Sequence, residues 1–412
     1  MEFIDSTIDK KDFNLSYKNS NFKKETDVFV VYLYIITAVI LCVALPDEYL
    51  NTMLYYIAVV LSAVMFAGLA QSSKTSLFFN VYAFLSFAVL FFTYGFRRFS
   101  AIDDSSYIKI FNYVSQDGWF DYFLNSTMEP GYLILNNIVA LFTEDYLYMQ
   151  LVTSFIPLFL FYYGFKKYRY MISLPTAVFL LSTMLYFQML SVALVRMFIA
   201  ISIVFIAFDY IPKRKPIKYF LLIFLASLFH YSAFFMIILV YFAINKSNLS
   251  KKASRSYNIL FITAPILFIF VSEFIVPLLG SRYTKYGSID GVSISISSFS
   301  TVPLLILLLF YYKKFYGKQQ LYFKLFLTVY ALSIIISLFG SMVNLGRLIF
   351  YSYTAFILGA AMVSKLLSRD SKKLLYSSII IVYGFLYVYT TQFTLEHHVS
   401  YLFPYRNIFF SL

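Results

Sequence analysis

Long apolar runs alternate with short polar connections along this chain, and that alternation sets the expected architecture. Runs at 28–45, 51–70, 77–96, 146–165, 173–187, 189–211, 217–229, 231–244, 257–279, 299–312, 321–340, 345–364 and 374–391 predict an all-α polytopic integral membrane protein. The expected count is about 13 spans, within roughly 12 to 14, since a helix needs about 20 apolar residues to cross. The expected organisation is a cytoplasmic segment over 1–27, one transmembrane domain over 28–391, and an external tail over 392–412. External loops are expected at 97–145 and 280–298.

One apolar stretch has an awkward length. Residues 217–244 would form a single helix of roughly 42 Å, against a hydrocarbon core of about 30 Å. A break or tight hairpin is therefore expected near Leu228 to Ser232, with His230 at the break and facing a cavity. Irregular backbone at membrane depth is tolerated only where it meets protein or water. A second short run, PGYLILNNIVALF over 130–142, follows Glu129 and places Pro130 at a first helical position. It predicts a short helix lying at the membrane surface or dipping into it rather than a crossing.

Composition agrees with this reading. Hydrophobic residues make up 61% of the 412 positions and charged residues 13%, about half of what a soluble domain carries. The formal charge of +13 does not point to nucleic acid, because the cations cluster in short loops at 166–169, 212–218, 246–255, 313–318 and 365–373. That distribution follows the positive-inside rule and puts the N-terminus in the cytoplasm of a multi-pass plasma-membrane protein. No small-residue cleavage site follows the first run, so it reads as an uncleaved anchor. The lone cysteine, Cys42, excludes a disulfide framework. The 49 Phe and 39 Tyr read as AT-rich codon bias with interfacial tyrosine belts rather than as a dedicated sugar-stacking surface.

The costly residues are few. A cation at mid-membrane costs at least about 2.5–3.5 kcal/mol, yet Arg196 and His230 lie inside apolar runs. The first external loop gathers Arg97, Arg98, Asp103, Asp104, Asp117, Asp121, Glu129, Glu144 and Asp145, a large share of the acids in a charge-poor chain. The loop GSRYTKYGSIDGVSISISS brings Arg282, Tyr283 and Tyr286 and has the Gly and Ser content of a lid. Further on, Arg347 and Tyr351 share one helical face. His397 and His398 are adjacent in the tail with no third ligand at metal spacing, so no metal and no cofactor is expected.

On the topology above, Arg97 or Arg98, Arg196, Arg282, Arg347 and His230 all fall in the outer half of the membrane. Converging guanidinium groups make a seat for a phosphate or pyrophosphate, because the planar fork donates in pairs and keeps its charge. A lipid-linked pyrophosphate fits such a seat, with its chain in the bilayer. A nucleophilic hydroxyl would need a base, for which His230, Asp103, Asp104 and Glu129 are the candidates.

The ordered pieces RRFSAIDDSSY, EPGY, LVRMFIA, ASLFHYSA, SRYTKY, LGRLIFY and PYR resemble the EpsG family of bacterial exopolysaccharide polymerases, relatives of the Wzy O-antigen polymerases. The likeness runs from about residue 30 to 408. It implies that Arg97, Asp103 and Tyr107 open the first external loop, with Arg98 and Asp104 fitting the same spacing. It further implies site roles for Glu129, Arg196, His230, Arg282, Arg347 and Tyr351. Met197 stands where the family commonly has Gln.

The implied activity is a metal-independent glycosyltransferase with a GT-C-like fold. It would join oligosaccharide repeat units carried on undecaprenyl pyrophosphate, which serve as donor and acceptor, at the outer face of the bacterial plasma membrane. Membrane lipids, a chain-length regulator and a flippase of the same pathway are the implied partners. A glycan ligase or other lipid-glycan transferase, and a flippase or transporter, are the alternatives.

Overall fold

A computed structural model describes residues 50–98, 103–126, 128–183, 193–239, 263, 301–340, 348–367 and 407–409. Among them the architecture is all helical, with a single isolated antiparallel bridge between Arg97 and Asn407 and no strand. The helices are α1 (Leu50–Ser72), α2 (Ser76–Gly95), α3 (Asp104–Tyr113), α4 (Trp119–Asn125), α5 (Pro130–Ala140) and α6 (Tyr146–Tyr168). They continue as α7 (Leu174–Thr183), α8 (Val195–Ala207), α9 (Pro216–Ser227), α10 (Thr301–Tyr311), α11 (Gly317–Gly340) and α12 (Ile349–Leu366). A π-helical turn, Val114–Gly118, links α3 to α4.

Four described helices, within α1 and in α2, α6 and α12, are long and apolar enough to cross a membrane. The protein is therefore a membrane protein. Residues 184–192 between α7 and α8 lie outside the described residues. So do the expected spans at 28–45 and 374–391, and that at 257–279 except for residue 263.

Burial orders the helices from the centre outward. Every residue of α12 from Ile349 to Ser364 is buried, as is all of α8 except Ile206. The outer helices instead turn large apolar side chains outward, among them Met65 on α1, Phe84 on α2, Phe159 on α6 and Leu221 on α9. In water that outer surface would be unfavourable, but lipid is its natural solvent. Contacts between helices rely on small residues that allow close approach. Ala63, Ala67 and Ala70 of α1 are fully buried, and Ser86 of α2 donates to the Ala63 carbonyl at 2.7 Å. At Gly164 of α6 an added Cβ would strike the Phe205 ring of α8, so glycine is what admits that helix.

Among the described residues the ion pairs collect at the two ends of the bundle. At one end, Asp209 just after α8 is 1% exposed and holds Lys167 and Lys213, the latter at 2.7 Å. It also accepts from the Tyr322 hydroxyl at 2.9 Å. Lys365 of α12 reaches the Arg169 and Tyr170 carbonyls at the same end, at 3.2 and 2.6 Å. Arg196 begins α8, about 20 Å away along the helix axis at 1.5 Å per residue. The other end is the one that carries the candidate chemistry.

The awkward apolar stretch is broken where its length required. α9 ends at Ser227, His230 lies outside any helix, and a 3-10 helix runs Tyr231–Leu239. The Tyr219 hydroxyl of α9 donates to the Met236 carbonyl at 2.7 Å, which folds the two segments back on each other. α5 likewise forms with Pro130 in its first turn. At 11 residues it is roughly 16 Å long, too short to cross.

Candidate active site

The site is assembled from six places along the chain: the α2 C-terminus, the starts of α3, α5, α8 and α12, and the break after α9. α2 delivers Arg97. Gln150 of α6 clamps the departing chain by donating to the Gly95 and Arg97 carbonyls at 2.7 Å each. Arg97, 2% exposed, donates to the Tyr94 carbonyl at 2.7 Å and pairs with Asp104 at 3.4 Å. Asp104 lies in the first turn of α3, where the helix dipole favours a negative charge.

The sequence left two registers open here, Arg97 with Asp103 or Arg98 with Asp104. The observed ion pair crosses them, joining Arg97 to Asp104. Asp103 is half-buried at the head of α3, where its carbonyl accepts from Ser106 and Tyr107, and Arg98 is exposed.

One turn along α3 from Asp104, the Tyr107 ring lies 6.0 Å from the Arg196 guanidinium. Tyr132 of α5 lies 5.9 Å from it, and the two tyrosine rings meet edge to face at 5.6 Å. Arg196 is 8% exposed and forms an ion pair with Glu129, which is fully buried at the residue before α5. The cost of Arg196 is thus met by a carboxylate already in the fold. A buried pair of this kind survives only with good geometry and further polar contacts. Burial holds the Tyr132 phenol well above its ordinary range, reinforced by Tyr146 and Tyr107 and opposed by Arg196. It stays neutral and offers Arg196 its ring face rather than a negative charge.

α5 docks on the break after α9 through one backbone hydrogen bond, from the Gly131 N–H to the Leu228 carbonyl at 2.8 Å. A Cβ at Gly131 would fall 2.8 Å from that oxygen, so only glycine permits the approach. The contact brings Glu129 to the His230 side of the bundle. The Glu129 carboxylate is close enough to act electrostatically on the Tyr231 and Tyr351 hydroxyls. His230 Nδ1 lies 2.7 Å from Ser232 Oγ and 3.4 Å from the Ser232 nitrogen. Ser232 Oγ is in turn 2.9 Å from the hydroxyl of Tyr351, a fully buried residue in the first turn of α12.

Of the residues singled out from sequence, Arg97, Asp104, Tyr107, Glu129, Arg196, His230 and Tyr351 gather at this end. Arg282, Tyr286 and Arg347 lie outside the described residues, as do the 280–298 loop, His397 and His398. Sequence reasoning missed Ser232, Gln150 and Tyr132 as members of the site. Gln150 could have been noticed as the one amide in the apolar run of α6, and Ser232 as the polar residue two places after His230. Among the described residues no group of three His, Cys, Asp or Glu side chains could hold a metal ion.

Residues 407–409 pack against the same end. Ile408 donates its backbone N–H to the Phe96 carbonyl at 3.0 Å, and the Phe409 ring stacks on Phe92 with centroids 5.8 Å apart. No curated protein and no solved structure matches the chain. The EpsG family matches residues 80–407, roughly four fifths of the sequence and every described residue of this site. The span of that match, from within α2 to the residue paired with Arg97, makes the chain a member of the EpsG family.

Proposed function

We propose that this protein is a membrane polysaccharide polymerase that joins oligosaccharide repeat units carried on undecaprenyl pyrophosphate, at the outer face of the bacterial plasma membrane. Membership of a family of exopolysaccharide-associated polymerases supports the polymerase part. The observation that carries the chemistry is the convergence of two buried ion pairs and a histidine at one end of a lipid-facing helical bundle. The basic clusters at 166–169, 212–218, 313–318 and the start of 365–373 belong to the opposite end. Under the positive-inside rule that end faces the cytoplasm and the site faces out.

In this reading a hydroxyl oxygen of the incoming lipid-linked unit attacks the anomeric carbon of the growing glycan. The bond from that carbon to the donor pyrophosphate breaks, and its electron pair leaves with the undecaprenyl pyrophosphate. The hydroxyl proton passes to Glu129 or His230. Fixed donors aimed at the departing oxygen stabilise the charge that develops there without reorganising. The loop 280–298, with Arg282 and Tyr286, closes over the sugars, and Arg347 contacts a phosphate. No step calls for a metal or cofactor. A chain-length regulator and the pathway's flippase are the expected neighbours in the membrane.

The test uses liposomes containing the purified protein and the lipid-linked oligosaccharide that accumulates in source cells lacking it. A ladder of longer glycans is expected, absent with His230→Ala. Translocation of the lipid-linked sugar without elongation would favour a transporter instead. Transfer to a different acceptor with no ladder would favour a ligase.

A further inference from the structure

Tyr351, Ser232 and His230 form a chain of hydrogen bonds whose direction can be read from one atom. The Ser232 backbone N–H faces His230 Nδ1 at 3.4 Å, and a backbone N–H can only donate. Nδ1 is therefore an acceptor, which puts the proton of the neutral ring on Nε2. With Nδ1 accepting, the Ser232 hydroxyl 2.7 Å away gives it its only proton. The serine oxygen then accepts from the Tyr351 hydroxyl at 2.9 Å. Both anchors are rigid, because Ser232 lies in the first turn of a 3-10 helix and Tyr351 is fully buried in the first turn of α12.

We propose that Ser232 and Tyr351 are positioning residues that hold His230 as the Nε2–H tautomer, so that His230 donates a hydrogen bond to the substrate's pyrophosphate and Glu129 takes the hydroxyl proton. This rests on the polymerase reading and decides between the two bases that reading leaves open. Nε2–H meets the negative charge that grows on the departing oxygen, and the proton remains on the histidine throughout. A ring protonated on Nε2 has its acceptor nitrogen already engaged by Ser232, so it is poorly placed to receive the hydroxyl proton. Glu129 has the opposite disposition. Paired with Arg196, its carboxylate presents acceptor oxygens.

The chain has three histidines, so replacing His397 and His398 with Gln leaves His230 as the sole nitrogen-labelled imidazole. Nitrogen NMR of that protein in detergent should show a protonated Nε2 and an unprotonated Nδ1. Ser232→Ala should mix the two tautomers, and Ser232→Thr should restore one. In the elongation assay, Ser232→Ala should lower turnover by about 10- to 100-fold. KM should stay within about twofold, as for an interaction made in the transition state. Added to Tyr351→Phe, Ser232→Ala should cost less than about threefold more, because residues acting as one unit are not additive.

A wild-type ring protonated on Nδ1 overturns the proposal, and so do equal losses from Ser232→Ala in the two backgrounds. Wild-type protein that holds the expected tautomer yet elongates no lipid-linked oligosaccharide removes the polymerase reading and leaves the hydrogen-bond chain standing.

Discussion

The ion pair between Glu129 and Arg196 can be separated into its structural and chemical contributions by a double-variant cycle. Glu129 is fully buried and Arg196 is 8% exposed, so neither charge is relieved by solvent when its partner goes. Glu129→Leu takes away the carboxylate that neutralises the guanidinium at the head of α8. Arg196→Met takes away the cation that neutralises the carboxylate before α5. Each single change is expected to cost about 3–5 kcal/mol, the loss found when one partner of a buried pair is removed. That is a large part of the roughly 5–15 kcal/mol by which a folded domain is stable. The double variant removes both charges and should return close to the parent stability, since buried pairs replaced by apolar residues are often neutral or stabilising.

Thermal unfolding in detergent, followed by far-ultraviolet circular dichroism, reads the stability, and the glycan ladder reads the chemistry. Two unstable single variants, with a double variant that folds but elongates nothing, are the expected outcome. Restored folding with a full ladder in the double variant would refute the argument, because the pair would then serve the fold alone. Single variants as stable as the parent would refute the electrostatic premise.

Other substitutions probe the joints around that pair. Gly131→Ala sets a methyl 2.8 Å from the Leu228 carbonyl oxygen. It should cost about 1–3 kcal/mol and shorten the glycan ladder as α5 moves away from the His230 break. Tyr322→Phe removes a donor to Asp209; melting should fall by the worth of a charge-assisted bond, about 1.5–3 kcal/mol, while elongation per folded molecule is unchanged. Deleting 407–412 breaks the Ile408 to Phe96 hydrogen bond and the Phe409 stack beside Arg97, and should lower turnover in the reconstituted assay. Arg282→Ala and Arg347→Ala should raise KM for the lipid-linked oligosaccharide more than they lower kcat.

Much of the scaffold was legible from run lengths. The runs expected at 51–70, 77–96 and 146–165 became α1, α2 and α6 with ends shifted by only a few residues, because helix length in lipid is tied to membrane thickness. The break near His230 followed from the same geometry, since 28 residues exceed one crossing and fall short of two. What the pattern could not supply was the 3-10 winding of Tyr231–Leu239, where the apolar run after Ser232 carries no periodicity to distinguish one helix type from another. The register of the first loop was hidden for a related reason. Two arginines and two aspartates side by side satisfy either spacing, and the start of α3 selects Asp104 for the interior.

The deeper gap concerns what stabilises the buried cations. Reading the chain in order shows Arg196 as a lone charge in an apolar run, because its partner Glu129 lies 67 positions away on a different element. The pairing requires α5 to dock on the α9 break, and the docking requires Gly131. Once both pairs are counted, Arg97 with Asp104 and Arg196 with Glu129 sum to zero formal charge. A neutral group can orient and polarise an incoming pyrophosphate but attracts it little at range. On the proposed function, the positive charge that would draw a lipid pyrophosphate in comes from cations outside these pairs. Arg98 and the arginines at 282 and 347 are among those the sequence supplies. That division explains why substitutions of Arg282 and Arg347 should register in KM, and those at Arg196, Glu129 and His230 in turnover.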